Sequence, residues 1–169
     1  WYDDAGLGLF IHWGIASVKG INISWSMIEG LDGKPAQIKP NNYFALAKDF
    51  NPTNYHPDKW LKAAKAAGFT YAVLTTRHHE GFALWPSAYG DFSTKNYMGG
   101  RDLVKDYVEA CRKNSLKVGL YYSPPDWYFE RDTKNFSRVR GRDLGPDGKP
   151  LTTSPSPAQQ AAQKMAYTV

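Results

Sequence analysis

The feature that most constrains this chain is an apolar run that ends abruptly in titratable residues. Tyr71-Ala72-Val73-Leu74 leads straight into Thr75-Thr76-Arg77-His78-His79-Glu80-Gly81-Phe82. An apolar strand with such an ending places a site at the carboxyl end of a buried β-strand. Open α/β sheets and α/β barrels hold their ligands there. Gly81 lets the backbone turn just after the histidine pair.

The same pattern occurs twice more. Residues 6–13, Gly-Leu-Gly-Leu-Phe-Ile-His-Trp, form a nearly continuous apolar run that ends in His12 and Trp13, with Gly14 closing it. A run without alternation reads as a strand buried on both faces. Val118-Gly119-Leu120-Tyr121-Tyr122 is a third strand, broken by Ser123-Pro124-Pro125. Between these runs lie helical signals. Pro57 suits a first helical position, Trp60, Leu61, Ala64 and Ala67 give the apolar stripe, and Gly68 is a stop. Asp102 can cap a helix carrying Leu103, Val104, Tyr107, Val108 and Cys111. A short helix is expected within 42–50, and a last one from Pro157 to Val169 behind a Ser156 cap. The stretches after the first two strands are long and carry glycine, proline and tryptophan, a composition that suits functional loops. Residues 129–154 are polar, with a turn at Gly145-Pro146-Asp147-Gly148.

The order is therefore strand, loop, helix, repeated, with no internal sequence repeat. This predicts an α/β fold with parallel strands. Three strands ending in His12-Trp13, His78-His79-Glu80 and Tyr121-Tyr122 resemble the catalytic face of a (β/α)8 TIM-like barrel. A doubly wound sheet is the rival, but neither glycine-rich phosphate fingerprint occurs here. A closed barrel takes about 250 residues. Residues 1–169 are thus expected to be its amino-terminal portion, holding the first three or so βα units.

Composition narrows the classes. The chain is 42% hydrophobic, enough for a packed core. No apolar run approaches the roughly 20 residues that span a bilayer, and residues 1–15 carry no signal-peptide pattern. The chain opens at Trp1 without a methionine, as an excised piece of a longer protein would. Its net charge of +5 is spread thinly except at Arg131, Lys134, Arg138, Arg140 and Arg142. That cluster could touch an anion or nucleic acid, but Asp132 and Asp143 dilute it, so it reads as a solvated loop. Cys111 is the only cysteine, which rules out an internal disulfide. Aromatic residues make up 15% of the chain, including six tryptophans. Aromatics near loops suit sugar faces, bases or interior packing.

The candidate residues have competing readings. His12 is either a strand-end ligand or a structural histidine. Side chains alternate on a strand, so His78 and His79 share a ligand only if the strand has already ended. One of Tyr121 and Tyr122 faces the barrel interior and the other the helices. Trp25 is either a pocket wall or a core plug under its loop. Arg77 reads as a salt-bridge residue holding the turn. Three histidines and Glu80 could hold a metal, but adjacent histidines do not present both imidazoles on one strand face as His-x-His does. Neutral imidazoles suit sugar hydroxyls equally, because each ring donates from one nitrogen and accepts at the other.

Four segments together resemble a known family. Phe10-Ile11-His12-Trp13-Gly14, Leu74 to Phe82, Arg101-Asp102-Leu103-Val104 and Gly119-Leu120-Tyr121-Tyr122-Ser123 resemble, in order and spacing, the amino-terminal half of the catalytic barrel of α-L-fucosidases, glycoside hydrolase family 29. The resemblance covers most of residues 1–128. It implies a barrel followed by a β-sandwich, and retaining removal of terminal α-linked L-fucose. It implies that His12, Trp25, His78, His79 and Tyr121 bind the sugar. The nucleophilic aspartate and the acid/base would lie beyond Val169. No cofactor and no metal are expected. The expected partner is a fucosylated glycan, with no nucleic acid or membrane, and the oligomeric state stays open. The family implies a secreted, periplasmic or lysosomal location. Many relatives carry Glu before the tryptophan where this chain has Ser24, which removes a charged acceptor. Two alternatives remain: a non-catalytic sugar-binding relative, and a metal-dependent barrel hydrolase using His12, His78 and His79.

Overall fold

A computed structural model describes residues 1–166. In chain order the regular elements are β1 (Gly8–Ile11), α1 (Pro40–Ala45), α2 (Pro57–Ala66), β2 (Tyr71–Arg77), α3 (Thr94–Tyr97), α4 (Leu103–Lys113), β3 (Lys117–Tyr122) and α5 (Pro157–Ala166), with short 3₁₀ turns at Ile15–Val18, Trp25–Met27 and Leu46–Lys48. All three predicted strands form, and they are parallel in the order β1-β2-β3. The last predicted helix forms from Pro157, and its final three positions, 167–169, lie outside the described residues. The chain divides into two compact units.

The first unit comprises residues 1–14, 51–77 and 83–122. Its core forms where α2 and α4 cover one face of the sheet. Leu61, Ala72, Leu74, Tyr107, Ala110, Cys111 and Leu116 are buried together there. The helix boundaries follow the local chemistry. Pro57 opens α2, and Gly68 ends it in the left-handed region at φ +93°. The Asp102 carboxylate accepts the Lys105 N–H at 2.8 Å, capping α4 as predicted. Asp58 in the first turn of α2 meets Lys113 Nζ and Asn114 Nδ2, each at 2.8 Å, which joins the two helices.

Register decides what each strand presents. Phe10 lies beside Val73, and Val73 beside Gly119. A Cβ at Gly119 would sit 2.7 Å from Val73 Cγ2 and 3.1 Å from the Ala72 carbonyl oxygen, so only glycine fits between these strands. Thr75 is level with Tyr121, while Arg77 is level with Tyr122. Thr76 is therefore the extra residue of a bulge, and its hydroxyl donates to the Tyr121 carbonyl at 2.8 Å.

The second unit comprises residues 15–50, 78–82 and the chain from 123 onward. It is built mostly from loops around large buried side chains: Ile15, Met27, Tyr43, Phe82 and Phe136. Phe44 packs edge-on against Tyr128 and Phe136, and Phe50 against Phe82. The segment after β3 is tied in by backbone bonds, Glu29 N–H to the Phe136 carbonyl at 2.9 Å and Arg138 N–H to the Glu29 carbonyl at 2.8 Å. The predicted Gly145–Gly148 turn closes with a 3.0 Å bond from Gly148 N–H to the Gly145 carbonyl. At the start of α5, Ser156 and Gln159 cap each other reciprocally.

Candidate functional site

In the first unit, the site residues come from the ends of β1 and β3. The His12 ring centroid lies 4.9 Å from that of Phe10 and 5.8 Å from that of Tyr121. Tyr121 therefore shares the face that carries Phe10 and Val73, opposite the helices. Tyr122 turns the other way, with its ring under the Arg77 guanidinium at 5.3 Å. This resolves the choice that the sequence left open between the two tyrosines. His12 Nδ1 lies 2.8 Å from Thr75 Oγ1, which orients its exposed ring.

In the second unit, the histidine pair has left the strand. β2 ends at Arg77, and Gly81, at φ +94°, returns its N–H to the His78 carbonyl at 2.9 Å. The turn cancels strand alternation, and the two imidazole centroids come within 4.3 Å of each other. Both rings meet Trp25 edge-on, at 6.1 Å for His78 and 4.9 Å for His79. The structure thus gathers Trp25, His78 and His79 in one unit, and His12 and Tyr121 in the other.

Ser24 is fully buried and forms the hub of this second group. Its Oγ lies 2.7 Å from His78 Nδ1, accepts the Glu80 N–H at 3.0 Å and donates to Glu80 Oε2. The serine has one proton, and a carboxylate can only accept, so that proton goes to Glu80. The proton between Ser24 and His78 then belongs to Nδ1. Ser24 is held at φ +30°, a region that few non-glycine residues occupy. Its own N–H donates to the Tyr43 hydroxyl at 3.0 Å. Burial, reinforced by the negative charge of Glu80, pushes the Tyr43 phenol far above its ordinary value, so it stays neutral. A serine at position 24 thus leaves a carboxylate in the group, that of Glu80, and Ser24 is what holds it.

A cavity of about 210 Å³ opens beside these rings, lined in part by Trp25, His79, Trp127, Lys134 and Arg138. The Trp127 ring packs against those of His79 and Trp25, and its backbone N–H donates to the His79 carbonyl at 2.8 Å. Lys134 Nζ sits 4.4 Å from the centre of the Trp127 ring. The reading of the basic cluster as a solvated loop holds for Arg138, Arg140 and Arg142, which are exposed, and needs correction at Lys134. Lys134 is partly buried, and burial pulls its ammonium below the ordinary range, opposed by Glu130 and assisted by Arg138. Arg142 is ion-paired with Glu29 at 2.9 Å. Sequence reasoning set Lys134 and Arg138 aside as solvated charges and missed Trp127, because all three follow the last strand in a stretch without a motif. The closely spaced Trp127, Tyr128 and Phe136 were the available signal. Among the described residues, no group of three or more His, Cys, Asp or Glu side chains is arranged to hold a metal ion.

The strands define a parallel α/β protein, with an imidazole and a phenol at strand ends in one unit and two imidazoles packed against indoles in the other. A family model for α-L-fucosidase matches residues 1–143. The chain belongs to that family, glycoside hydrolase family 29. It is 39% identical over 140 residues to tissue α-L-fucosidase of Homo sapiens, covering 76% of this chain and 30% of that protein. Against the Mus musculus enzyme it is 38% identical over 139 residues, with the same coverage of each. The structure of α-L-fucosidase isoenzyme 1 from Paenibacillus thiaminolyticus aligns with a TM-score of 0.65 at 42% identity, over 76% of this chain and 29% of that one. The Thermotoga maritima α-fucosidase in complex with fucose aligns at 0.66 and 31% identity, over 83% and 37%. The chain therefore spans about 30% of the length of these mammalian relatives.

Proposed function

We propose that this chain is the amino-terminal portion of the catalytic (β/α)8-like barrel of a retaining exo-α-L-fucosidase acting on fucosylated glycans. Family membership supports the reaction class. Parallel sheets are normally covered on both faces, whereas Phe10 in β1 is 52% exposed, which favours further barrel strands around this face. The observation that carries the reading is the Trp25–His78–His79 group with its Ser24–Glu80 support.

Fucose carries a methyl group where most sugars carry a hydroxymethyl, so its binder needs an apolar wall opposite hydrogen-bonding groups. Trp25 supplies the wall. His78, held at Nδ1 by Ser24, binds one sugar hydroxyl, and His79 binds a neighbouring hydroxyl. The family resemblance carries His12 and Tyr121 into the same role. A sugar lacking one of these hydroxyls would leave an imidazole without its partner, a strong basis for discrimination. Retention requires two carboxyl groups about 5–5.5 Å apart. One attacks the anomeric carbon as the glycosidic bond breaks, and the other protonates the leaving oxygen and then activates water. We assign both to residues beyond Val169, and Glu80 to positioning.

Two measurements test this. Methyl α-L-fucoside should bind saturably to the chain, and Trp25→Ala or His79→Ala should weaken that binding. An aryl α-L-fucoside should be hydrolysed only by protein extended past Val169. Turnover by residues 1–169 alone, or sugar binding indifferent to both substitutions, would refute the assignment.

A further inference from the structure

We propose that the cavity beside Trp25 and His79 is an oxyanion subsite, where Trp127, Lys134 and Arg138 receive a sulfate or carboxylate group of the fucosylated glycan. The inference rests on the fucosidase reading and adds to it a class of substrate. Three independent features support it.

The first is charge. Lys134 and Arg138 both line the cavity, and no carboxylate is among its described lining residues. Lys134 has a carboxylate acting on it, that of Glu130, and Glu29 is ion-paired with Arg142. These acidic groups balance Lys134 and Arg142, so Arg138 leaves an excess of positive charge. Two cations facing the same small volume repel each other, and an anion between them removes that repulsion.

The second is an unused donor. Trp127 is only 4% exposed, yet its indole Nε1–H is buried with no acceptor among the described residues. A buried N–H without an acceptor is destabilising, because it has lost its bond to water and gained none. An oxyanion in the adjoining cavity is a suitable acceptor. Asn135, also in the lining, is committed elsewhere: its Oδ1 accepts the Ser137 and Leu144 N–H groups.

The third is construction. The backbone bonds from Trp127 to His79 and from Arg138 to Glu29, each 2.8 Å, fix both residues against the sugar-binding loop. At about 210 Å³ the space holds roughly seven waters at about 30 Å³ each. That is room for a sulfate or carboxylate but not for a whole second sugar with it. Because Trp25 and His79 line the same cavity, the anion would sit next to the bound fucose.

The test follows the indole N–H resonances of the full chain by NMR, with Trp127 assigned from Trp127→Phe. Sodium sulfate, sodium acetate and sodium chloride are titrated at matched ionic strength, and methyl α-L-fucoside separately. Sulfate or acetate should move the Trp127 indole signal saturably and chloride should not. Whichever of the two binds tighter identifies the oxyanion class. Lys134→Met, which keeps the aliphatic stem on the Trp127 ring, and Arg138→Gln, at an exposed position, should each weaken the response about tenfold without changing thermal unfolding. A response equal in chloride, or unchanged in both variants, overturns the subsite. A fucoside that perturbs Trp25 with no oxyanion response overturns the subsite alone. An oxyanion response with no effect of fucoside overturns the fucosidase reading and the glycan assignment with it.

Discussion

Replacing Ser24 with alanine should release both Glu80 and His78. The substitution deletes one oxygen that makes three hydrogen bonds among residues no more than 4% exposed. The bond donated to the carboxylate is charge-assisted, about 1.5–3 kcal/mol, and the other two are about 1 kcal/mol each. Water entering the gap recovers part of this, so the expected loss is about 2–4 kcal/mol. That is a large share of the roughly 5–15 kcal/mol that stabilises an ordinary domain. With a urea slope of about 2 kcal/mol/M, the midpoint should fall by about 1–2 M. The second readout is specific to the arrangement. The ¹⁵N shifts of His78 should report a proton on Nδ1 in the unsubstituted chain and a mixture of tautomers in Ser24→Ala. A loss below about 0.5 kcal/mol together with an unchanged tautomer would show that Ser24 does not hold the pair.

Three further outcomes follow from the structure. Burial raises the phenols of Tyr43, Tyr55 and Tyr107 above the ordinary 10.0. The folded chain then holds these protons more tightly than the unfolded one. Stability is full below pH 10 and falls as pH rises beyond it. Tyrosinate absorbance should show these three, of eleven tyrosines, ionising only as the chain unfolds. Gly119→Ala places a methyl against Val73 and the Ala72 carbonyl, and denaturant titration should give a loss of about 1–3 kcal/mol. Gly81→Ala forces a side chain onto a φ of +94°, at a cost of about 1–2 kcal/mol. It should also weaken methyl α-L-fucoside binding by disturbing the turn that unites the histidines, as titration calorimetry would report.

Much of this molecule was legible without coordinates. The strands at 8–11, 71–77 and 117–122 announce themselves as apolar runs. Asp102, Pro57 and Gly68 mark helix ends through their own backbone chemistry. Such signals act over a few residues, so a linear reading finds them. The histidine pair was legible for the same reason, since Gly81 lies two positions away. By contrast, Ser24 meets His78 and Glu80 across 54 and 56 residues, and nothing local at Ser24 specifies either partner. The orientation of Tyr121 depended on strand register, a property of paired strands rather than of one. Lys134 looked like a solvated charge because hydropathy records a residue's preference for water, and only packing over Trp127 decided that it would be partly buried. The sequence by itself determined the elements, their ends and the residues available for chemistry, because those are local preferences. The tertiary structure decided which of those residues meet, because contacts between distant segments depend on how the chain closes on itself.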